Sequence, residues 1–215
     1  MAKGPGRLET GKVQEEAPVQ KAISMLMEEH RRIEHVLGSL EGFASALAGG
    51  TASDRERVGR YAAFFRGFAD VCHHAKEEDV LFQRLVERGF SRETGPVAVM
   101  LYEHEVGRAH VGALRQVAEV GGALSAAEAR QVVDEASGFV PLLRAHILKE
   151  DRILYPMALR VLSGPELDEM AEAFLARDRA RREDGTWDRL QATAEELLAS
   201  FPPGPVRTAE AAAMP

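Results

Sequence analysis

Histidine and glutamate recur four residues apart at two places in the chain, His73 with Glu77 and His146 with Glu150. On an α-helix that spacing stacks the two side chains on one face, ~5–6 Å apart at Cβ, so both can reach one metal centre. Each pair interrupts an apolar row, Phe65, Ala69 and Leu81 for the first and Leu142 and Leu154 for the second. Two more histidines follow a glutamate, in Glu29-His30 and Glu103-His104. Ile23, Met27 and Leu37 place His30 on an apolar face, and Val97, Leu101 and Val111 do the same for His104. Buried imidazoles and carboxylates left unpaired cost on the order of several kcal/mol each, so such a group must pair internally or hold metal. Nitrogen and oxygen donors without thiolate suit iron, manganese or zinc. Two carboxylates able to bridge, and more donors than one tetrahedral ion needs, point to a dinuclear centre, as in bundles whose facing helices supply inward Glu and His.

The elements that must position these residues are helical. Between about Ala22 and Ser200 the apolar residues follow a helical period, and no run of alternating β-branched residues suggests a strand. Four main helices are expected. The first runs from about Ala22 to Ala48 and stops at Gly49-Gly50; the second opens at Ser53-Asp54 and runs to about Arg88, before Gly89. The third begins near Gly95-Pro96 and stops at Gly121-Gly122. The fourth covers about Ala126 to Leu162, with a kink or interruption expected at Gly138 and Pro141. Short connections between long amphipathic helices favour an all-α, antiparallel four-helix bundle over residues 22–162. Two further helices, about Glu166 to Arg182 and Trp187 to Ser200, form an appendage over residues 163–200. Residues 1–20 read as a flexible leader and 201–215 as a flexible tail.

The chain also repeats itself. His73 to Phe82 returns as His146 to Tyr155, an offset of 146 − 73 = 73, and His30 returns as His104, an offset of 104 − 30 = 74. Two helix-pair halves related by pseudo-two-fold symmetry account for both offsets.

Composition narrows the function classes. The 215 residues carry 27 Lys+Arg against 34 Asp+Glu, a net charge of −7, which argues against nucleic-acid binding. One cysteine excludes a disulfide framework or a multi-cysteine metal site and suggests a reducing compartment. No segment approaches the ~18 apolar residues of a membrane span, and the N-terminus lacks a signal-peptide core, so a cytoplasmic protein is expected.

The phrases Glu29-His30-Arg31-Arg32-Ile33, His73-His74-Ala75-Lys76-Glu77-Glu78, Glu103-His104-Glu105-Val106-Gly107-Arg108 and His146-Ile147-Leu148-Lys149-Glu150-Asp151 resemble the motifs of the hemerythrin-like HHE cation-binding family. The resemblance covers about Ala22 to Leu162. It implies a four-helix bundle around an oxo- or carboxylate-bridged di-iron centre, with ligands falling on His30, His73, Glu77, His104, His146 and Glu150. Some family members carry an additional ligand directly after the second-helix histidine, which makes His74 a candidate fifth imidazole; the alternative is a histidine beside the site or at an interface. Two positions depart from true hemerythrins: Arg108 stands where a second third-helix histidine would be, and Glu150 where a shorter carboxylate is usual. Both argue against reversible oxygen transport. Glu34, Tyr102 and Arg108 are candidates to line the site behind the ligands, by hydrogen bonding an imidazole or a bound species. His35 and His110 read as surface residues, Cys72 as a packed hydrophobe, and Tyr155-Pro156 as a helix-end packing device.

The functional expectation is a di-iron protein that binds or senses O2, or a related small molecule such as NO or peroxide. The competing readings are a di-iron enzyme with peroxidase, NO-reducing or iron-donating activity, served by a redox partner docked at the appendage, and a structural bundle holding zinc.

Overall fold

The computed structural model describes residues 21–204, so the expected leader and residues 205–215 of the expected tail lie outside the described residues. The described residues form six helices and no strands. We label them α1 (Lys21–Ala48), α2 (55–87), α3 (Gly95–Glu119), α4 (126–161), α5 (Gly164–Glu183) and α6 (Thr186–Ser200). Helix α1 packs against α4, α2 against α3, and α3 against α4, while α5 and α6 lie on α1 and α2.

Local chemistry sets the ends. The Asp54 carboxylate accepts the Arg57 backbone N–H at 3.1 Å, capping α2. Ser125 with Glu128 and Ser163 with Glu166 form reciprocal capping boxes that open α4 and α5. The chain leaves α3 through Gly121 and Gly122, both at positive φ, as the expected stop signal requires.

The expected interruption at Gly138 and Pro141 is not seen: α-helix continues from Ala126 to Lys149 through both. Buried Ala136, Phe139, Val140 and Leu143 hold this stretch against the core, and their packing outweighs the lost proline N–H. The irregularity falls later, as a π-helical turn over Glu150–Leu154. Pro156 lies just beyond it; lacking an N–H and crowding the carbonyl one turn back, it favours a widened turn there. Helix α2 widens likewise over Phe65–His74 and Glu77–Leu81. Widening inserts residues into the turn, and both His73 and His74 are buried as a result.

The apolar core is in two parts. One gathers Val36, Leu40, Phe43, Tyr61, Phe64, Phe68, Leu114 and Phe139; the other gathers Leu26, Leu81, Phe82, Leu85, Met100, Ala158 and Phe174. On each of α1–α4 the His and Glu of the repeated motifs fall between residues of the two clusters. A polar layer therefore divides the core. Residues 201–204 depart from the expected loose tail, since the Phe201 ring lies 5.3 Å from that of Phe43 and Pro203 packs on Gly38 of α1.

Candidate metal centre

The polar layer holds His30 of α1, His73, His74 and Glu77 of α2, His104 of α3, and His146 and Glu150 of α4, all buried. Their donor atoms form two overlapping groups. His30, His73, Glu77 and Glu150 make one, and His74, Glu77, His104 and His146 the other, with donors within 4.8 Å of one another in each. Each carboxylate stands between imidazoles of the two sequence halves. Glu150 Oε2 is 3.2 Å from both His30 Nε2 and His146 Nε2, and Glu77 Oε2 is 3.6 Å from His73 Nε2 and 3.5 Å from His104 Nε2. These are the positions from which a carboxylate bridges.

The donor set fits metal. His73 Nε2, Glu77 Oε2 and both Glu150 oxygens are buried and make no hydrogen bond, an arrangement that costs several kcal/mol unless a cation satisfies it. His104 Nε2 and His146 Nε2 stand 3.0 Å apart. At the ~2.0–2.1 Å of a zinc–imidazole bond, two ligands at right angles are separated by about that distance.

Electrostatics agree. Burial pushes His73, His74 and His104 down, His74 to about 4, leaving neutral rings with free lone pairs. Burial opposes protonation of His30 and His146 too, but Asp151 and Glu150 hold His30 up, and Glu150 and Glu103 hold His146 up to about 9. Burial and the neighbouring Glu150 hold the Glu77 carboxyl well above the usual carboxylate range. Without a cation the two carboxylates cannot share the layer fully ionised.

Around the donors lies a ring of carboxylates that sequence reasoning did not assign. Nδ1 of His30 donates to Asp151 at 2.7 Å, His73 to Glu29 at 3.0 Å, His104 to Glu78 at 2.7 Å and His146 to Glu103 at 2.9 Å. Such bonds fix the tautomer and turn Nε2 toward the centre. They obey the repeat: Glu29 matches Glu103, and Glu78 matches Asp151. Lys76 donates to Glu29 at 2.5 Å and Lys149 donates to Glu103, again as a matched pair. The signal was present, since Glu-His and Lys-Glu-acid recur at the same offsets, but each carboxylate serves a histidine on another helix.

Of the residues expected behind the ligands, Arg108 is in place indirectly. It donates to Asp70 at 2.9 Å and to Glu78 at 2.5 Å, and Glu78 in turn holds His104. Glu34 pairs with Arg31, which pairs with Asp151, so it reaches His30 only through those two residues. Tyr102 is 69% exposed and faces away from the layer, because its position on α3 is off the inward stripe of Met100 and His104. The hydroxyl near the donors belongs instead to Tyr155, which donates to Glu77 Oε1 at 2.6 Å and lies 3.3 Å from His30 Nε2. Tyr155 is therefore part of the layer and not only a packing residue. His35 is exposed, and His110 bonds Glu135 away from the centre. Cys72 is buried, its thiol pushed up to about 11 by burial.

Residues 21–158 match the family model for the hemerythrin HHE cation binding domain. Uncharacterized proteins of Mycobacterium bovis and Mycobacterium tuberculosis are 25% identical to the chain over 171 residues, a match covering 80% of this chain. The match spans 66% of those relatives' own length. No solved structure matches the chain.

Proposed function

The chain belongs to the hemerythrin HHE cation-binding family, and on that premise we propose that α1–α4 form an antiparallel four-helix bundle around a di-iron centre that binds or senses O2, NO or peroxide. The observation that supports it is the pair of overlapping donor groups, five buried imidazoles and two carboxylates, among which His73 Nε2, Glu77 Oε2 and both Glu150 oxygens are unpartnered. His30, His73, Glu77 and Glu150 would hold one ion, and His74, Glu77, His104 and His146 the other. Iron held by these residues would supply electrons to a bound oxidant, chemistry that none of the side chains provides.

The two positions are unequal. One has three imidazoles and the other two, and a position short of protein donors is where an outside molecule binds. The Tyr155 hydroxyl stands beside that position and holds a proton between Glu77 Oε1 and His30 Nε2. The apolar clusters on either side of the layer keep bulk water away from it. Anaerobic loading with ferrous iron, elemental analysis and an optical spectrum after O2, NO or peroxide test the proposal. Two ions per chain and a spectral response to at least one are expected; silence toward all three overturns it.

The Tyr155 proton also favours the enzymatic reading, because turnover needs a donor where negative charge develops. Tyr155→Phe should leave two metal ions per chain and slow the reaction with peroxide by ~10–150-fold, the equivalent of one hydrogen bond to a charged group at about 1.5–3 kcal/mol. Stopped-flow mixing of the reduced protein with peroxide measures it. An unchanged rate removes Tyr155 from the reaction.

A further inference from the structure

Helix α5 covers one half of the repeat and leaves the matching face of the other half uncovered. Leu167, Met170, Ala171 and Phe174 of α5 are buried in the cluster that holds Leu26 and Leu81, with Met25 and Val80 packed against it. Charged pairs fix α5 on that seat: Asp178 with Lys76 at 2.6 Å, Arg177 with Asp79 at 2.9 Å, and Glu166 with Arg88 at 2.6 Å. Arg177 also donates to the Ala75 carbonyl at 3.3 Å. At the repeat offsets of 74 and 73 residues, Met25 becomes Val99 on α3, and Ala75, Val80 and Arg88 become Leu148, Ile153 and Val161 on α4. All four counterparts are exposed, and Tyr102, next to Glu103, is exposed with them. They are five of the eight large apolar side chains exposed among the described residues, so the exposed apolar surface is concentrated on the half that α5 leaves uncovered.

The charge of the uncovered seat is reversed. Lys149 and Glu103 repeat Lys76 and Glu29, but Lys149 lacks the second carboxylate that Asp178 gives Lys76. Arg152 stands where the first half has Asp79, and Arg160 where it has Glu87. Both arginines are exposed, and neither forms an ion pair among the described residues. The exposed acid on the nearby turn of α3, Glu105, is held by Arg108 at 2.6 Å. A helix with the charges of α5 would bring Arg177 against Arg152. A second copy of the same face would add its own Arg152 and Arg160, and like charges brought together oppose association.

We infer that α3 and α4 form a docking seat for an acidic amphipathic helix of a partner protein, which lays its apolar stripe on Val99, Tyr102, Leu148 and Ile153 and gives carboxylates to Lys149 and Arg152. The mode is the one α5 already uses on α1 and α2, an apolar helix face seated between two helices. A carboxylate at Lys149 completes the line through Glu103 to His146, as Asp178 completes the line through Lys76 and Glu29 to His73. The seat follows from the repeat and the exposed side chains, and does not depend on bound metal.

A synthetic peptide of residues 163–183 carrying Arg177→Glu is the probe. It keeps the Ser163–Glu166 cap, the apolar stripe and Asp178, and it places a second acid opposite Arg152. Titration of the full chain with the fluorescently labelled probe should saturate at one peptide per chain, read by anisotropy. The peptide that retains Arg177 should bind at least ~10-fold more weakly, and Arg152→Glu in the chain should reverse that order. Leu148→Lys, at an exposed position, should weaken the probe at least ~10-fold while the unfolding midpoint stays in place. Methyl NMR signals of Val99, Leu148 and Ile153 in the unmodified chain should shift on binding. Absence of saturable binding, or shifts confined to α1 and α2, overturns the seat, and equal binding of the two peptides overturns its preference for acid. A chain that is dimeric by light scattering and becomes monomeric with Leu148→Lys would give the face to a second copy and overturn the partner helix.

Discussion

Glu77→Gln is expected to abolish stoichiometric metal uptake while leaving the metal-free protein as stable as before, or more so. Glu77 is the one side chain common to both donor groups, so its loss weakens both positions together. Its carboxyl is fully buried, with one oxygen unpartnered, and burial and Glu150 hold it well above the usual carboxylate range, so at neutral pH folding of the metal-free chain must protonate it or bury its charge, a cost the amide does not carry. The amide still offers Tyr155 an acceptor and keeps the volume. In the parent chain, metal at a thousand times its dissociation constant adds about 4 kcal/mol to stability. In the variant that gain should vanish, and urea unfolding with and without metal measures both numbers. A polar network without metal predicts the reverse: a metal-free chain destabilised by the substitution, and no gain to lose.

Six of the seven clustered side chains are legible because they obey a local rule, His and Glu at helical spacing inside apolar rows, stated twice at matching offsets. Helix ends were legible for the same reason, through Asp54, Gly95 and Gly121. What escaped depends on partners from elsewhere in the chain. Glu29 adjoins His30 in sequence but bonds His73, because neighbours on a helix point ~100° apart. Tyr155 reads as a helix end, and only the crossing of α4 against α1 and α2 brings its hydroxyl to Glu77 and His30. Tyr102, favoured by its place beside Glu103-His104, faces solvent. Pro141 failed as a breaker because packing on both sides of it overrides a local preference.

The appendage shows most clearly what sequence could not reach, and Lys76 supplies the test. Lys76 is 1% exposed, its Nζ 2.5 Å from Glu29 and 2.6 Å from Asp178 of α5. Its counterpart Lys149 pairs with Glu103 alone and is 35% exposed. The repeat is broken here by one residue of the appendage. A line of charges thus runs from α5 through Lys76 and Glu29 to the His73 imidazole, on the half with two imidazoles. Lys76→Met strands two carboxylates in a buried place and should cost about 3–5 kcal/mol, the scale of breaking a buried pair. Lys149→Met, at a half-exposed pair, should cost about 0–1 kcal/mol. Urea unfolding of the two variants compares them directly. Metal titration adds the functional arm: with Glu29 no longer fixed, one of two ions should bind ~10–100-fold more weakly, the usual effect of losing a partner behind a ligand. Equal costs for the two lysines would mean that Asp178 adds nothing to the pair. Unequal costs with a weakened ion would make α5 a working part of the metal layer, since the charge holding Glu29 in place would then depend on a helix outside the duplicated halves.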